Sequence, residues 1–96
     1  MNLNILFKIM LRGIAKELSL QFIETERGVG NFISNGKKSV GFTSFVDMKW
    51  RLVILMSPEG RGAPINLGKY TREELEERNS KARRAIIAKL KNLEFL

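Results

Sequence analysis

The start of the chain carries apolar side chains at the spacing of an α-helix. The apolar face is formed by Leu3, Phe7, Met10 or Leu11, Ile14 and Leu18. The polar face is formed by Asn4, Lys8, Arg12 and Lys16. This pattern predicts an amphipathic helix over residues 1–18, which would bend or break at Gly13 because glycine costs about 1 kcal/mol relative to alanine. We expect the apolar face to pack on the core or on a partner, and a membrane surface is the less favoured alternative.

After residue 18 the helical period gives way to the alternation of β-strands. Residues 19–26 are predicted to form a first short strand, and residues 31–34 lead into a turn. The pair Asn35-Gly36 that follows is preferred in two-residue type I′ hairpins. It predicts a tight hairpin that leads into a return strand over residues 40–47.

The next segment is more apolar. The near-continuous run from Trp50 to Met56 predicts a central strand that is covered on both faces. Pro64 has no N–H for a ladder hydrogen bond, so residues 64–67 are predicted to form or begin an edge strand. Taken together, the segments over residues 19–67 predict a four-stranded antiparallel sheet with meander order.

A long charged helix is predicted at the end of the chain. Thr71 and Glu74 have the spacing of a capping box, and Tyr70 and Leu75 occupy the positions of a hydrophobic staple. An apolar stripe then follows at Leu75, Ala82, Ile86, Leu90 and Leu93. The helix over residues 71–93 would span roughly 33 Å at 1.5 Å per residue. Such a length favours contact with a second subunit, so we predict a homodimer.

These elements define the expected fold class. One α+β domain over residues 1–96 is predicted, with an N-terminal amphipathic helix, a four-stranded antiparallel sheet and a long C-terminal helix. A chain of this length fills a single core. The apolar start is interrupted by Lys8 and is expected to be retained in an intracellular protein, although Met10 is an alternative start.

The composition excludes most catalytic chemistry. The chain has no Cys and no His, and Asp47 is its single Asp. Disulfides, thiol nucleophiles, thiolate or imidazole zinc sites and the usual general base at neutral pH are therefore excluded. We expect no enzymatic activity, no catalytic residue, no metal and no cofactor.

The formal net charge of +7 favours a polyanionic partner. Aromatic side chains on predicted strands and nearby cations have the composition of a surface on which single-stranded bases stack. The alternative is that the aromatic side chains belong to the core and that the basic half of the last helix only complements its dipole. The candidate nucleic-acid contacts are Lys37, Lys38, Phe45, Lys49, Arg51, Arg61, Arg83 and Arg84.

The order of elements resembles a known family. A strand meander, the turn Pro58-Glu59-Gly60, a short strand over residues 64–67 and a terminal helix are similar to the PC4-like transcriptional coactivators and the related Whirly proteins. The resemblance covers residues 37–90. It implies a dimer formed partly through the helices, with single-stranded DNA held across the sheets by basic and aromatic side chains. Single-stranded DNA is therefore the favoured partner, and RNA is possible.

A different class of function stays open at this point. A small basic chain without catalytic groups also suits a regulator or inhibitor, of the kind that phages and mobile elements carry, that binds a host protein. The apolar N-terminal helix or an exposed edge strand would make that contact. Deletion of residues 1–9 is expected to disable such a protein-binding function and to leave nucleic-acid binding intact.

Overall fold

The computed structural model describes residues 2–24, 31–58, 63–77 and 79–96. Within these ranges the strands form one antiparallel sheet with the order β1-β2-β3-β4-β5, so each strand pairs with its neighbour in sequence. The helices supply apolar side chains that join one face of this sheet in a single core. The elements are α1 (Leu3–Glu17), β1 (Gln21–Glu24), β2 (Asn31–Ser34), β3 (Ser39–Val46), β4 (Leu52–Ser57), β5 (Ile65–Tyr70), α2 (Arg72–Glu76) and α3 (Lys81–Asn92).

The predicted strand number is wrong. The described part of the chain forms an α+β fold with an N-terminal helix, as expected, but its sheet has five strands and not four. The edge strand β5 also runs past Leu67 to Tyr70. It continues because Gly68 adopts a φ of +115° beside a register shift opposite Ile54 and Leu55. A β-carbon at Gly68 would lie 2.8 Å from the Tyr70 hydroxyl oxygen, so glycine suits this position for two reasons.

The predicted long helix is also wrong. Thr71 and Glu74 do form the capping box, but α2 ends at Glu76, and Glu77 is extended, with φ of −62° and ψ of 137°. The Ser80 hydroxyl then accepts a hydrogen bond from the Arg83 backbone N–H and begins α3. Serine is favoured at helix starts because its hydroxyl oxygen accepts a hydrogen bond from a backbone N–H of the first turn, which has no partner within the helix. The twelve residues of α3 span only about 18 Å.

This break removes one basis for the predicted dimer. The stripe of Leu75, Ala82, Ile86 and Leu90 is buried within the single chain, although its members lie on two helices. These side chains are therefore not free to pair with a second copy. A homodimer stays a prediction that now depends on the family resemblance alone.

The N-terminal helix is part of the core. Asn2 caps it by accepting a hydrogen bond from the Ile5 N–H, and the helix continues through Gly13 without a break. Phe7 is fully buried, and its ring packs edge-on against Phe42 with 6.3 Å between centroids. Deletion of residues 1–9 would therefore remove core side chains and would not isolate a docking function. No helix in the described ranges is long and apolar enough to cross a membrane.

Candidate nucleic-acid interface

The pairing register divides the side chains of the sheet between two faces. Residues directly opposite each other on neighbouring strands point to the same face, and successive residues alternate. Phe42 pairs with Met56, and both lie in the core beneath the helices. Phe45 pairs with Val53, and Val53 does not belong to that core cluster. Phe45 and Val53 therefore lie on the opposite side of the sheet.

We call this opposite side the open face. Phe32 on β2 belongs to it because Phe32 pairs with both Ile23 and Gly41. The helices of the described residues pack their apolar side chains on the other side. Phe45 is 50% exposed, whereas Val53 is 1% exposed, since it lies between Phe45 and Lys69 on the neighbouring strands. The larger side chains of the open face are Ile23, Phe32, Phe45, Val53, Leu55 and Lys69.

The lysines of the β2–β3 hairpin lie at one end of the sheet. The predicted hairpin does form, between β2 and β3. Its turn is centred on Gly36 and Lys37 and not on Asn35 and Gly36, because the Asn35 backbone N–H donates to the Lys38 carbonyl. The Asn35 side-chain oxygen accepts from the backbone N–H groups of Lys37 and Lys38, which takes the place of a backbone acceptor. The Asn35 amide also donates to the Phe95 carbonyl at 3.0 Å, which ties the hairpin to the C-terminal segment.

The other hairpin, between β3 and β4, lies at the opposite end. Phe45, Lys49 and Arg51 are near or within it, and the eight residues of β3 separate them from Lys37 and Lys38 by roughly 25 Å. The predicted contacts on the sheet therefore form two groups. A strand that touched both groups would have to run along β3.

Trp50 was predicted to begin the central strand, and that prediction is wrong. Trp50 lies in the turn before β4, with a φ of +60°, and its side chain is 81% exposed. The turn is held by Asp47, whose carboxylate accepts hydrogen bonds from the Lys49 and Arg51 backbone N–H groups at 2.9 Å each. The Arg51 guanidinium also pairs with Asp47 at 3.1 Å. We call this set of bonds the Asp47 clamp.

The remaining predicted contacts lie elsewhere. Arg83 bonds to Glu17 and to Asn79, and thereby joins α3 to α1. Arg84 is exposed on the same helix, which belongs to the layer on the far side of the sheet from Phe45. Arg61 lies outside the described residues. The structure therefore does not bring the α3 arginines together with the open face.

Two residues of this region were absent from the predicted contacts. Lys69 lies on the open face opposite Val53, and it was missed because the predicted strand ended at Leu67. The exposure of Trp50 was missed because its indole was counted with the apolar run that follows it. The hydrogen bonds of the Asp47 clamp, which extend the turn to Arg51, are not visible in the sequence.

Within the described ranges, several lysines on the strands and turns of the sheet have no ion-pair partner. Glu24 is held between Lys8 and Arg12, and the Lys8 hydrogen bond lowers the pKa of Glu24 below its usual value. Among the residues that the structure describes, no ion pair involves Lys37, Lys38, Lys49 or Lys69. The same residues contain no group of His, Cys, Asp or Glu side chains that could hold a metal ion.

The fold and its open face define a small α+β protein with a partly aromatic sheet surface that the described helices do not cover. Comparisons of the chain with protein-family models, with curated proteins and with solved structures find no match. The resemblance to the PC4-like proteins thus stays a prediction.

The Asp47 clamp should depend on pH. The Arg51 backbone N–H, aided by Lys49, lowers the pKa of Asp47 below its usual value of 3.8. Because the folded-state pKa is lowered, the clamp stabilises the hairpin above the usual value and is lost as the pH falls through the lowered one. We expect the fluorescence of Trp50 to change with a midpoint below pH 3.8, before the far-ultraviolet circular dichroism changes.

The matched variant for this measurement is Asp47→Asn. The amide oxygen still accepts the backbone N–H groups but carries no charge for Arg51, so the acid transition of Trp50 should disappear. Glu73 lines the same cleft as Trp50, so Glu73→Gln serves as the second control. A transition that persists in Asp47→Asn and vanishes in Glu73→Gln would assign the effect to Glu73.

Proposed function

We propose that this protein binds single-stranded nucleic acid, with single-stranded DNA favoured, through the open face of its sheet. One observation supports this proposal most strongly. The open face carries Phe32 and the half-exposed Phe45 in a chain whose formal net charge is +7, and Lys69 lies on the same face, two strands from Phe45. Aromatic side chains and cations on one surface are the combination that single-strand binders use.

Binding of a single strand to such a surface has an electrostatic and a stacking contribution. Lysines that neutralise phosphates release counterions, and this term is lost as salt increases. Stacking of bases on aromatic rings contributes about 1–3 kcal/mol per base and does not depend on sequence. Phe45 offers a ring that is 50% exposed for such stacking. Lys49 follows it in the β3–β4 turn, and Lys69 lies two strands away, on the other side of Val53.

Duplex DNA is the less suitable ligand. Its bases are stacked on each other, so their faces are not accessible to Phe32 and Phe45. The helical layer also presents no element to the open-face side that could enter a groove, within the described residues. A flat sheet face suits a strand whose bases are already unstacked.

The test is fluorescence anisotropy with labelled single-stranded DNA, RNA and duplex DNA at two salt concentrations. We expect single-strand binding that persists at about 0.15 M salt and is tighter than the 10⁻⁴–10⁻⁶ M typical of non-specific electrostatic binding. Binding of all three ligands that disappears together with salt would contradict the proposal. Sedimentation of the free protein in the same buffers tests the predicted homodimer.

Charge removal on the sheet side should change the salt dependence. The double variant Lys49→Gln/Lys69→Gln is expected to bind more weakly and to lower the slope of log K against log salt by about 1.4, since each lost contact with a single strand removes about 0.7. The matched control is Lys16→Gln/Lys91→Gln, which removes the same charge from the ends of α1 and α3. An equal loss of slope in both variants would show that the charge acts without a defined surface.

A further inference from the structure

The β3–β4 hairpin exposes two large apolar side chains. Met48 is 98% exposed and Trp50 is 81% exposed, although tryptophan is usually well buried. The backbone of Trp50 is left-handed, with a φ of +60°, which costs a residue other than glycine roughly 1–2 kcal/mol. Neither burial nor backbone preference accounts for the indole at this position.

The hairpin is nevertheless rigidly built. The Asp47 clamp fixes the backbone of Lys49 and Arg51. The backbone N–H of Trp50 also donates to the backbone carbonyl of Asp47 at 3.1 Å. The Asp47 N–H in turn donates to the Arg51 carbonyl at 2.9 Å. A side chain held outward on a fixed backbone loses little entropy when a ligand binds to it.

Trp50 forms one wall of a cleft of about 480 Å³. The other apolar walls are Val46 at the end of β3 and Leu3 at the start of α1. This volume lies within the range of small-molecule sites. The cleft adjoins the open face at the β3–β4 end of the sheet but lies on the other side. Val46 follows Phe45 on β3 and therefore points away from the open face.

The charges around the cleft select the part of a nucleotide that would enter it. The charged residues that line the cleft are Lys49, Arg72 and Glu73, and the Arg72 guanidinium also pairs with Glu76 at 3.8 Å. A phosphate inside the cleft would meet the Glu73 carboxylate beside a guanidinium that is already paired, whereas a neutral, flat base is not repelled by either charge. Lys49 is in turn suited to a phosphate that stays outside.

We propose that this cleft binds one nucleobase, unstacked from the strand and placed against the indole of Trp50, with a neighbouring phosphate at Lys49. The bound strand then leaves the open face around the β3–β4 end of the sheet. This inference rests on the proposed function, because it assigns a second contact to the same strand. Stacking on the indole adds a contribution that is separate from that of Phe45.

Trp50 is the single tryptophan of the chain, so intrinsic fluorescence reports directly on the cleft. The experiment titrates the protein with oligo(dT) of about twelve nucleotides and with an abasic oligomer of the same length, since folds that bind single strands cover about 4–16 nucleotides. We expect strong quenching by oligo(dT) and little by the abasic strand. Equal quenching by both strands would show that no base enters the cleft.

Variants measure the contribution to affinity by anisotropy of the labelled strand. Trp50→Ala is expected to weaken binding about 5–150-fold, which corresponds to the 1–3 kcal/mol of one stacked base. Met48→Ala, on the same turn and more exposed, should change affinity less than about twofold. Circular dichroism checks that both variants stay folded, as the exposure of both side chains leads us to expect.

The outcomes distinguish this inference from the proposed function. Strand binding with unchanged Trp50 fluorescence and unchanged affinity of Trp50→Ala overturns the cleft and leaves the open face in place. Absence of strand binding overturns both. A blue shift of Trp50 with vesicles of phosphatidylserine and phosphatidylcholine, without a response to oligo(dT), overturns both in favour of a lipid surface.

Discussion

Replacing Phe7 by alanine is expected to lower the free energy of unfolding by about 3–5 kcal/mol. The Phe7 side chain has no exposed surface and packs edge-on against Phe42 beneath α1. Its removal loses the transfer energy of the ring and leaves a cavity between the helix and the sheet. Since small domains are stable by only about 5–15 kcal/mol, this change approaches the total for a chain of this size.

The measurement is urea denaturation followed by circular dichroism. The control is Ile9→Ala on the same helix, whose side chain is 49% exposed and whose loss should cost less than about 0.5 kcal/mol. If Phe7→Ala unfolded no more easily than Ile9→Ala, α1 would not be part of the core. In that case the N-terminal helix would again be a candidate for docking to a partner protein.

The elements that sequence predicted well have strong local signals. The capping box of Thr71 and Glu74 forms as expected, since its two hydrogen bonds join residues only three apart. The period of the first helix likewise placed Leu3, Phe7 and Ile14 on one face, and all three are buried. In both cases the outcome depends on neighbouring residues, which the sequence contains in full.

The break between α2 and α3 shows why the rest could not be predicted. Leu75, Ala82 and Ile86 fit one continuous helical stripe, and they are buried as the stripe requires. The chain instead caps a new helix at Ser80, whose hydroxyl is also 3.7 Å from the Met10 sulfur on α1. That contact joins residues seventy positions apart, so the local pattern does not contain it.

The candidate site was harder to predict than the fold. Phe45 and Val46 have similar alternation signals, and only the pairing register shows which of them faces away from the helices. The positions of Lys49 and Trp50 depend on the Asp47 clamp, a small set of hydrogen bonds without a common sequence signature. A net charge of +7 gave no information on where unpaired cations lie.

The double variant Phe32→Ala/Phe45→Ala is expected to weaken binding of single-stranded DNA about 30-fold or more at about 0.15 M salt, because two stacking contacts of at least about 1 kcal/mol each are lost. The salt slope should stay the same, since no charge changes. Anisotropy of a labelled strand at several salt concentrations measures both quantities. This combination separates stacking on the open face from general attraction to a basic protein.

The matched control is Ile5→Ala/Ile9→Ala, which removes two exposed apolar side chains from α1 on the opposite layer. An equal loss of affinity in both double variants would contradict the open face as the binding surface. Trp50 remains in both variants, so its quenching by oligo(dT) can be followed independently. If quenching persisted in Phe32→Ala/Phe45→Ala while affinity fell, the cleft and the open face would be separate contacts with one strand, as a path around the β3–β4 end of the sheet requires.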